Sequence, residues 1–136
     1  MINEEYNNCF ACGKDNPIGL HLDFKKEGDL SQAKFVLSKN YEGYPEIIHG
    51  GIVTTILDEA MAKVLLLNGI VAYTGKIEVK FRKSLRPEQP YTVFGKISKS
   101  KGRVHETSAW IVNSTGEIMA SATAVFLEPK KSVNYR

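Results

Sequence analysis

The residues whose types and spacing could do chemistry are His49-Gly50-Gly51 and, seven positions after Gly51, Asp58. Two glycines at the mouth of a helix let a ligand or another chain approach the backbone closely. Amides left unpaired at that end favour an oxyanion, which is what a carbonyl becomes under nucleophilic attack. A carboxylate on a largely apolar helix is costly unless it is hydrated, paired or used. Partial burial raises its pKa toward the range of a useful base, so Asp58 could activate a water or attack a carbonyl itself. Plainer uses exist for the same residues: Gly50 and Gly51 equally suit a helix cap, and an arbitrary mid-helix acid is more often a solvated one.

Seven residues is about two helical turns, so Gly51 and Asp58 lie on nearly one side of the helix but roughly 10 Å apart. One carbonyl cannot touch both within a chain. Two helices running antiparallel across a two-fold axis would bring the amides of one copy level with the aspartate of the other, which predicts a homodimer with two equivalent sites.

The elements that must position these groups are legible from periodicity. Val53, Ile56, Leu57, Ala60, Met61, Val64 and Leu67 recur at threes and fours between Gly50 and Asn68, and Asn68-Gly69 supplies the stop. Beyond it Ile77, Val79 and Phe81 alternate with Lys76, Glu78, Lys80 and Arg82 as in a half-buried strand, closed by Arg86-Pro87-Glu88-Gln89-Pro90. Strands follow over 91–99, 104–113 and 118–127, separated by Ser100-Lys101-Gly102 and Asn113-Ser114-Thr115-Gly116, so the second half reads as an antiparallel meander. Upstream, 20–26 and 32–38 alternate around the turn Glu27-Gly28-Asp29. The expectation is an α+β domain, a curved antiparallel sheet of about six strands wrapped around one long helix. Its uncovered edges also call for a second copy.

Length and composition fit one ordinary domain over 1–136, with a lead-in over 1–19 and a tail over 128–136. Hydrophobic residues make up 43% and charged ones 24%, which excludes a disordered or fibrous chain. The N-terminus lacks the basic start and apolar run of a signal peptide, and no stretch of about 18 apolar residues occurs, so a cytoplasmic location and no membrane partner are expected. Cys9 and Cys12 are spaced poorly for a structural disulfide. With His21 they would offer a metal only three ligands where a structural zinc site needs four, so no metal is expected. Tyr44 and Pro45 read as a staple between the preceding loop and the helix entry, although with Tyr41 they could also wall a pocket.

The stretch His49-Gly50-Gly51, then Asp58-Glu59-Ala60-Met61 continuing the only long helix, resembles the hotdog-fold thioesterase superfamily, particularly its phenylacetate-pathway-like acyl-CoA branch. The element order β-β-α-β-β-β-β agrees, and Cys9-Phe10-Ala11-Cys12-Gly13 with Asn16-Pro17-Ile18-Gly19-Leu20 looks like the lead-in of a subset of these proteins. The resemblance implies a hydrolase that cleaves an acyl-CoA thioester, works as a dimer or dimer of dimers, and needs no cofactor beyond the coenzyme A of its substrate. It puts the acid on Asp58, the carbonyl-polarising amide on Gly50 or Gly51, a site-shaping histidine on His49, and a hydroxyl that holds the water or the acid on Thr74. Several members carry an Asn six residues before the histidine, where this chain has Gly43. Asn40, Glu42 or Glu46 could substitute, or Asp58 and Thr74 could suffice.

Between Thr74 and Val104 nine Lys or Arg stand against Glu78 and Glu88, while the whole chain carries only +3. Lys80, Arg82, Lys83 and Arg86 could bind the phosphates of coenzyme A, although any single one of them equally suits a solvated strand face. Nucleic acid is a poorer fit, since no recognition helix or single-strand signature accompanies the charge. The alternative to an enzyme is a non-catalytic acyl-CoA binder or sensor. A hotdog dehydratase would need an active His and acid in a Pro-Gly context, absent here.

Overall fold

In the computed structural model, which describes residues 6–130, one helix lies across a single antiparallel sheet of six strands. The elements are β1 (Lys25–Glu27), β2 (Leu30–Val36), α1 (Gly50–Leu66), β3 (Tyr73–Phe81), β4 (Pro90–Lys101), β5 (Val104–Val112) and β6 (Ile118–Leu127). This is the hotdog arrangement, in the expected order. Residues 1–5 of the expected lead-in and 131–136 of the expected tail lie outside the described residues.

The apolar stripe of α1 is the core. Val53, Ile56, Leu57, Ala60, Met61, Val64 and Leu65 are all buried, as a helix laid on a sheet requires. What lets α1 sit so close is a row of small side chains beneath it. Ser31 pairs with Gly95, Gly95 with Ala109 and Ala109 with Ala122. A Cβ built on Gly95 would stand 2.2 Å from the Ala60 carbonyl oxygen. That same carbonyl accepts from the Ser31 hydroxyl at 2.7 Å, so sheet and helix are tied where they come nearest. Hydrogen-bonding the buried hydroxyl removes the cost of desolvating it.

Two expectations fail in instructive ways. The alternation over 20–26 is real in burial, since Leu22 and Phe24 are inside, but only Lys25–Glu27 pairs as a strand. The amides of Leu20 and Leu22 donate instead to the carbonyls of Phe10 and Ala11, and His21 at φ 55° breaks the extended run. Nor is the second half one meander. Only β4, β5 and β6 follow that path, whereas β3 pairs with β6 at the far edge, in the sheet order β1-β2-β4-β5-β6-β3. The stretch 82–89 is too long for a tight hairpin and carries the chain from the edge strand β3 past β6 and β5 to β4. It is anchored by the amides of Arg82 and Lys83, which both donate to the Met119 carbonyl.

Candidate active site

The site begins where α1 begins. His49 is the N-cap, and its Nδ1 accepts from the Gly51 amide at 2.8 Å, so a neutral His49 carries its proton on Nε2. The His49 carbonyl accepts from the amides of Ile52 and Val53. Of the two glycine amides considered for polarising a carbonyl, Gly51 is therefore engaged. The Gly50 N–H, at the first helical position, has no carbonyl four residues back within the helix.

Gly50 faces a cavity of about 250 Å³ bounded by Ile47, Val53, Phe81 and Leu85, with Lys83 and Ser84 at its rim. A Cβ on Gly50 would lie 3.6 Å from the Phe81 ring, an ordinary van der Waals contact, so packing alone does not demand glycine here. Gly43 packs on the other side of the turn, where a Cβ would come within 3.2 Å of the His49 Cα. Of the candidates to replace the missing Asn, two are occupied locally: the Glu42 carboxylate accepts from the Glu46 backbone amide, and Glu46 pairs with Lys39. The Asn40 backbone N–H donates to Ser38 Oγ, a bond that does not engage the Asn40 side chain.

Two turns along, Asp58 is half-buried, and Thr74 Oγ1 donates to its Oδ1 at 2.6 Å. A break in the regular pleat of β3 puts the hydroxyl there. Thr74 pairs with Phe126 but Lys76 with Val125, so Gly75 is an extra residue. Without that bulge Thr74 would share the outer face of Lys76, Glu78 and Lys80. With it, Thr74 joins the helix side, as Ile77 and Val79 do. Burial pushes the Asp58 carboxyl above the usual range; the Thr74 hydrogen bond pulls it down, and the nearby Glu59 charge adds to the rise. Gly50 and Asp58 are eight residues apart on one helix, about 12 Å along its axis.

The four basic residues divide. Lys80 and Arg82 border a second cavity of about 430 Å³ on the sheet face away from the helix, beside Trp110. Arg82 and Lys83 also border the cavity at Gly50. Lys83 is ion-paired with Glu117, and Arg86 Nη1 reaches the Glu46 carbonyl only at 3.5 Å. Tyr44 does not staple the loop to the helix, being 80% exposed. Tyr41 does that work through its carbonyl, which accepts from the His49 amide at 2.9 Å.

Sequence reasoning missed three members of this region. Phe81 was visible only as a core-facing strand residue, yet it walls the cavity. Glu59 and Lys63 form a buried ion pair at 3.3 Å, an i,i+4 spacing that could have signalled it. His21, once a conceivable partner for the cysteines, contacts the Asn16 carbonyl at 2.7 Å, and Glu59 approaches Cys9 instead. Burial, with Glu59 adding to it, pushes the Cys12 thiol up to about 12. Among the described residues, no helix is long and apolar enough to cross a membrane.

Comparison with known proteins agrees with this fold. An uncharacterized protein of Schizosaccharomyces pombe is 29% identical over 113 residues, covering 79% of this chain and 65% of that protein. A thioesterase superfamily protein of known structure superposes with a TM-score of 0.85 at 20% identity, over 90% of this chain and 61% of that one. The chain thus spans less than two-thirds of the length of either. A hypothetical thioesterase of Streptococcus pneumoniae, solved with coenzyme A, gives 0.74 at 17% identity over 79% and 85% of the two chains. The PaaI protein of the E. coli phenylacetic acid degradation operon gives 0.75 at 14% identity over 80% and 84%. The sequence profile of the thioesterase superfamily matches residues 46–120, from just before His49 into β6, and the chain belongs to that superfamily.

Proposed function

We propose that the protein hydrolyses an acyl-CoA thioester to the free acid and coenzyme A, at a site shared between two subunits. The observation that carries this reading is the Asp58 carboxylate, half-buried, raised in pKa and gripped by Thr74, on the helix whose glycine mouth opens on a cavity. The binding of coenzyme A by a structural relative named a thioesterase supports the substrate class.

In this reading the thioester carbonyl rests against the Gly50 amide of one subunit, with His49 holding the helix mouth in shape. Asp58 of the other subunit either takes a proton from the attacking water or attacks the carbonyl itself, with Thr74 fixing its orientation. Attack moves electrons onto the carbonyl oxygen, where a helix-mouth N–H stabilises them. Collapse breaks the C–S bond and expels the coenzyme A thiolate, which takes a proton from Asp58 in the first route or from solvent in the second. In the second route a water then splits the acyl-aspartyl anhydride, releasing the acid and restoring the Asp58 carboxylate. The 12 Å between Gly50 and Asp58 on one helix requires the second copy. The edge strand β3 and the uncovered helix end are surfaces such a copy would cover. Lys83 and Arg82, at the cavity rim, are the better placed of the basic residues for phosphates. Lys80 and Arg86 contribute only if the pairing of subunits brings them near. A single catalytic domain over 1–136 in the cytoplasm is part of the same proposal.

The test is thiol release from a panel of aromatic and aliphatic acyl-CoA esters by the wild-type chain and by Asp58→Asn. Turnover by the wild type alone supports the reading. Equal turnover by both, or coenzyme A binding without any turnover, rejects it and favours a binding protein.

A further inference from the structure

Behind the helix face that carries Asp58, three potential ligand atoms converge. Cys9 Sγ, Cys12 Sγ and a Glu59 carboxylate oxygen all lie within 4.8 Å of one another, with Cys9 Sγ 4.0 Å from Glu59 Oε2. We propose that Cys9, Cys12 and Glu59 bind a thiophilic divalent cation of the zinc class, clipping the N-terminal lead-in to α1. Around a tetrahedral zinc, neighbouring sulfur and oxygen ligands stand about 3.6–3.8 Å apart. The donors here need shift by no more than about an ångström to reach that geometry.

The scaffold under the thiols is built rather than loose. The Gly13 amide donates to the Cys9 carbonyl at 2.8 Å, the Cys9 amide to Tyr6, and the Asp15 amide to the Asn7 carbonyl, so the loop closes on itself. A Cβ on Gly13 would fall 2.3 Å from the Asn7 carbonyl oxygen, so the Cys-x-x-Cys turn is held in a shape only glycine permits. Ala11 and Cys12 are buried against the core, which presents both sulfurs to the helix.

Charge permits a dication once both thiols give up their protons. Two thiolates and a carboxylate then sum to −3, the buried Lys63 ammonium, 3.3 Å from Glu59 Oε2, contributes +1, and a divalent ion brings the cluster to zero. The Glu59 Oε2 that approaches Cys9 is also the atom that pairs with Lys63, so on binding Oε2 serves both cations or the carboxylate turns its second oxygen to the ammonium. Each thiol gives its proton to solvent on binding. The chain supplies three ligands, one fewer than the closed set of a structural zinc site, so the proposed site is an open one in which solvent, reaching past the partly exposed Cys9, takes the fourth position. Spacing along the chain offered His21 as third ligand. The fold supplies Glu59 in its place, 50 residues from Cys9.

The test takes the full chain, reduced and stripped with a chelator, and titrates it with Zn²⁺ and separately with Co²⁺. The expected result is one ion per chain, a thiolate-to-cobalt charge-transfer band, Cys9 shielded from iodoacetamide, and a higher melting temperature. Cys9→Ser should lose the band. Glu59→Gln should weaken Zn²⁺ binding at least about tenfold, since even indirect partners of a metal cost that much. The proposal is overturned if the wild type takes up no more Zn²⁺ than Cys9→Ser, or if Cys9 alkylates equally fast with and without Zn²⁺. Should Cys9→Ser fail to fold, the alkylation comparison needs only the wild type and decides alone. Neither readout involves hydrolysis, so the result stands whatever the fate of the thioesterase reading.

Discussion

Thr74 reaches Asp58 because β3 carries one residue too many: the 2.6 Å hydrogen bond between them depends on the bulge at Gly75. Deleting Gly75 restores the pleat and turns Thr74 to the outer face, and it should lower turnover as much as Thr74→Ala does. A deletion that keeps wild-type turnover in steady-state assays would disconnect the bulge from the site.

The Thr74 hydroxyl lowers a carboxyl that burial raises, so Thr74→Ala should move the acid limb of the pH–rate profile to higher pH. Thr74→Ser keeps the donor and should leave the limb near its wild-type place. A limb that moves downward, or not at all, in Thr74→Ala would contradict this assignment.

The same shift fixes the sign of the effect on stability. A carboxyl whose folded pKa lies above the unfolded value of about 3.9 contributes stability below that value and loses it as pH rises through the folded pKa. At neutral pH the charged Asp58 therefore works against folding. Asp58→Asn should melt no lower than the wild type at pH 7, and any advantage should shrink on acidification, a comparison that thermal scans at several pH values can make.

His49→Ala removes the acceptor for the Gly51 amide and should cost about 0.5–2 kcal/mol in denaturant unfolding, the usual cost of an N-cap. His49→Asn, whose side-chain oxygen can also cap, should recover most of it. Equal losses in both would show that the ring packs rather than caps.

Gly95→Ala inserts a methyl 2.2 Å from the Ala60 carbonyl oxygen and 2.6 Å from Ser31 Oγ. Helix and sheet must part to admit it, so the loss should reach or exceed the roughly 1–3 kcal/mol of ordinary overpacking. Denaturant midpoints of the two proteins measure it directly.

The helix and five of the strands were legible because each repeats its own period over seven or more residues. The place of β3 was not, since alternation says which side of Ile77 and Val79 faces the core but not which strand lies alongside. Thr74 was found through motif resemblance, whereas simple alternation from Lys76 would have turned it outward; the bulge that reverses this leaves only a glycine as its trace. Leu22 and Phe24 alternate as in a strand because they are buried as in a strand, although their neighbours bond to a loop rather than to a sheet. The approach of Glu59 to Cys9 joins residues 50 apart, a distance over which local pattern carries no information.

Hydrolysis by this site depends on the Asp58 carboxylate, and the decisive measurement is kcat of Asp58→Asn on an acyl-CoA ester that the wild type hydrolyses, with coenzyme A affinity measured beside it. Loss of the base should lower kcat by about a hundredfold or more, the low end of general-base effects, with affinity nearly unchanged. Unaltered kcat in a variant that still binds coenzyme A would contradict the account.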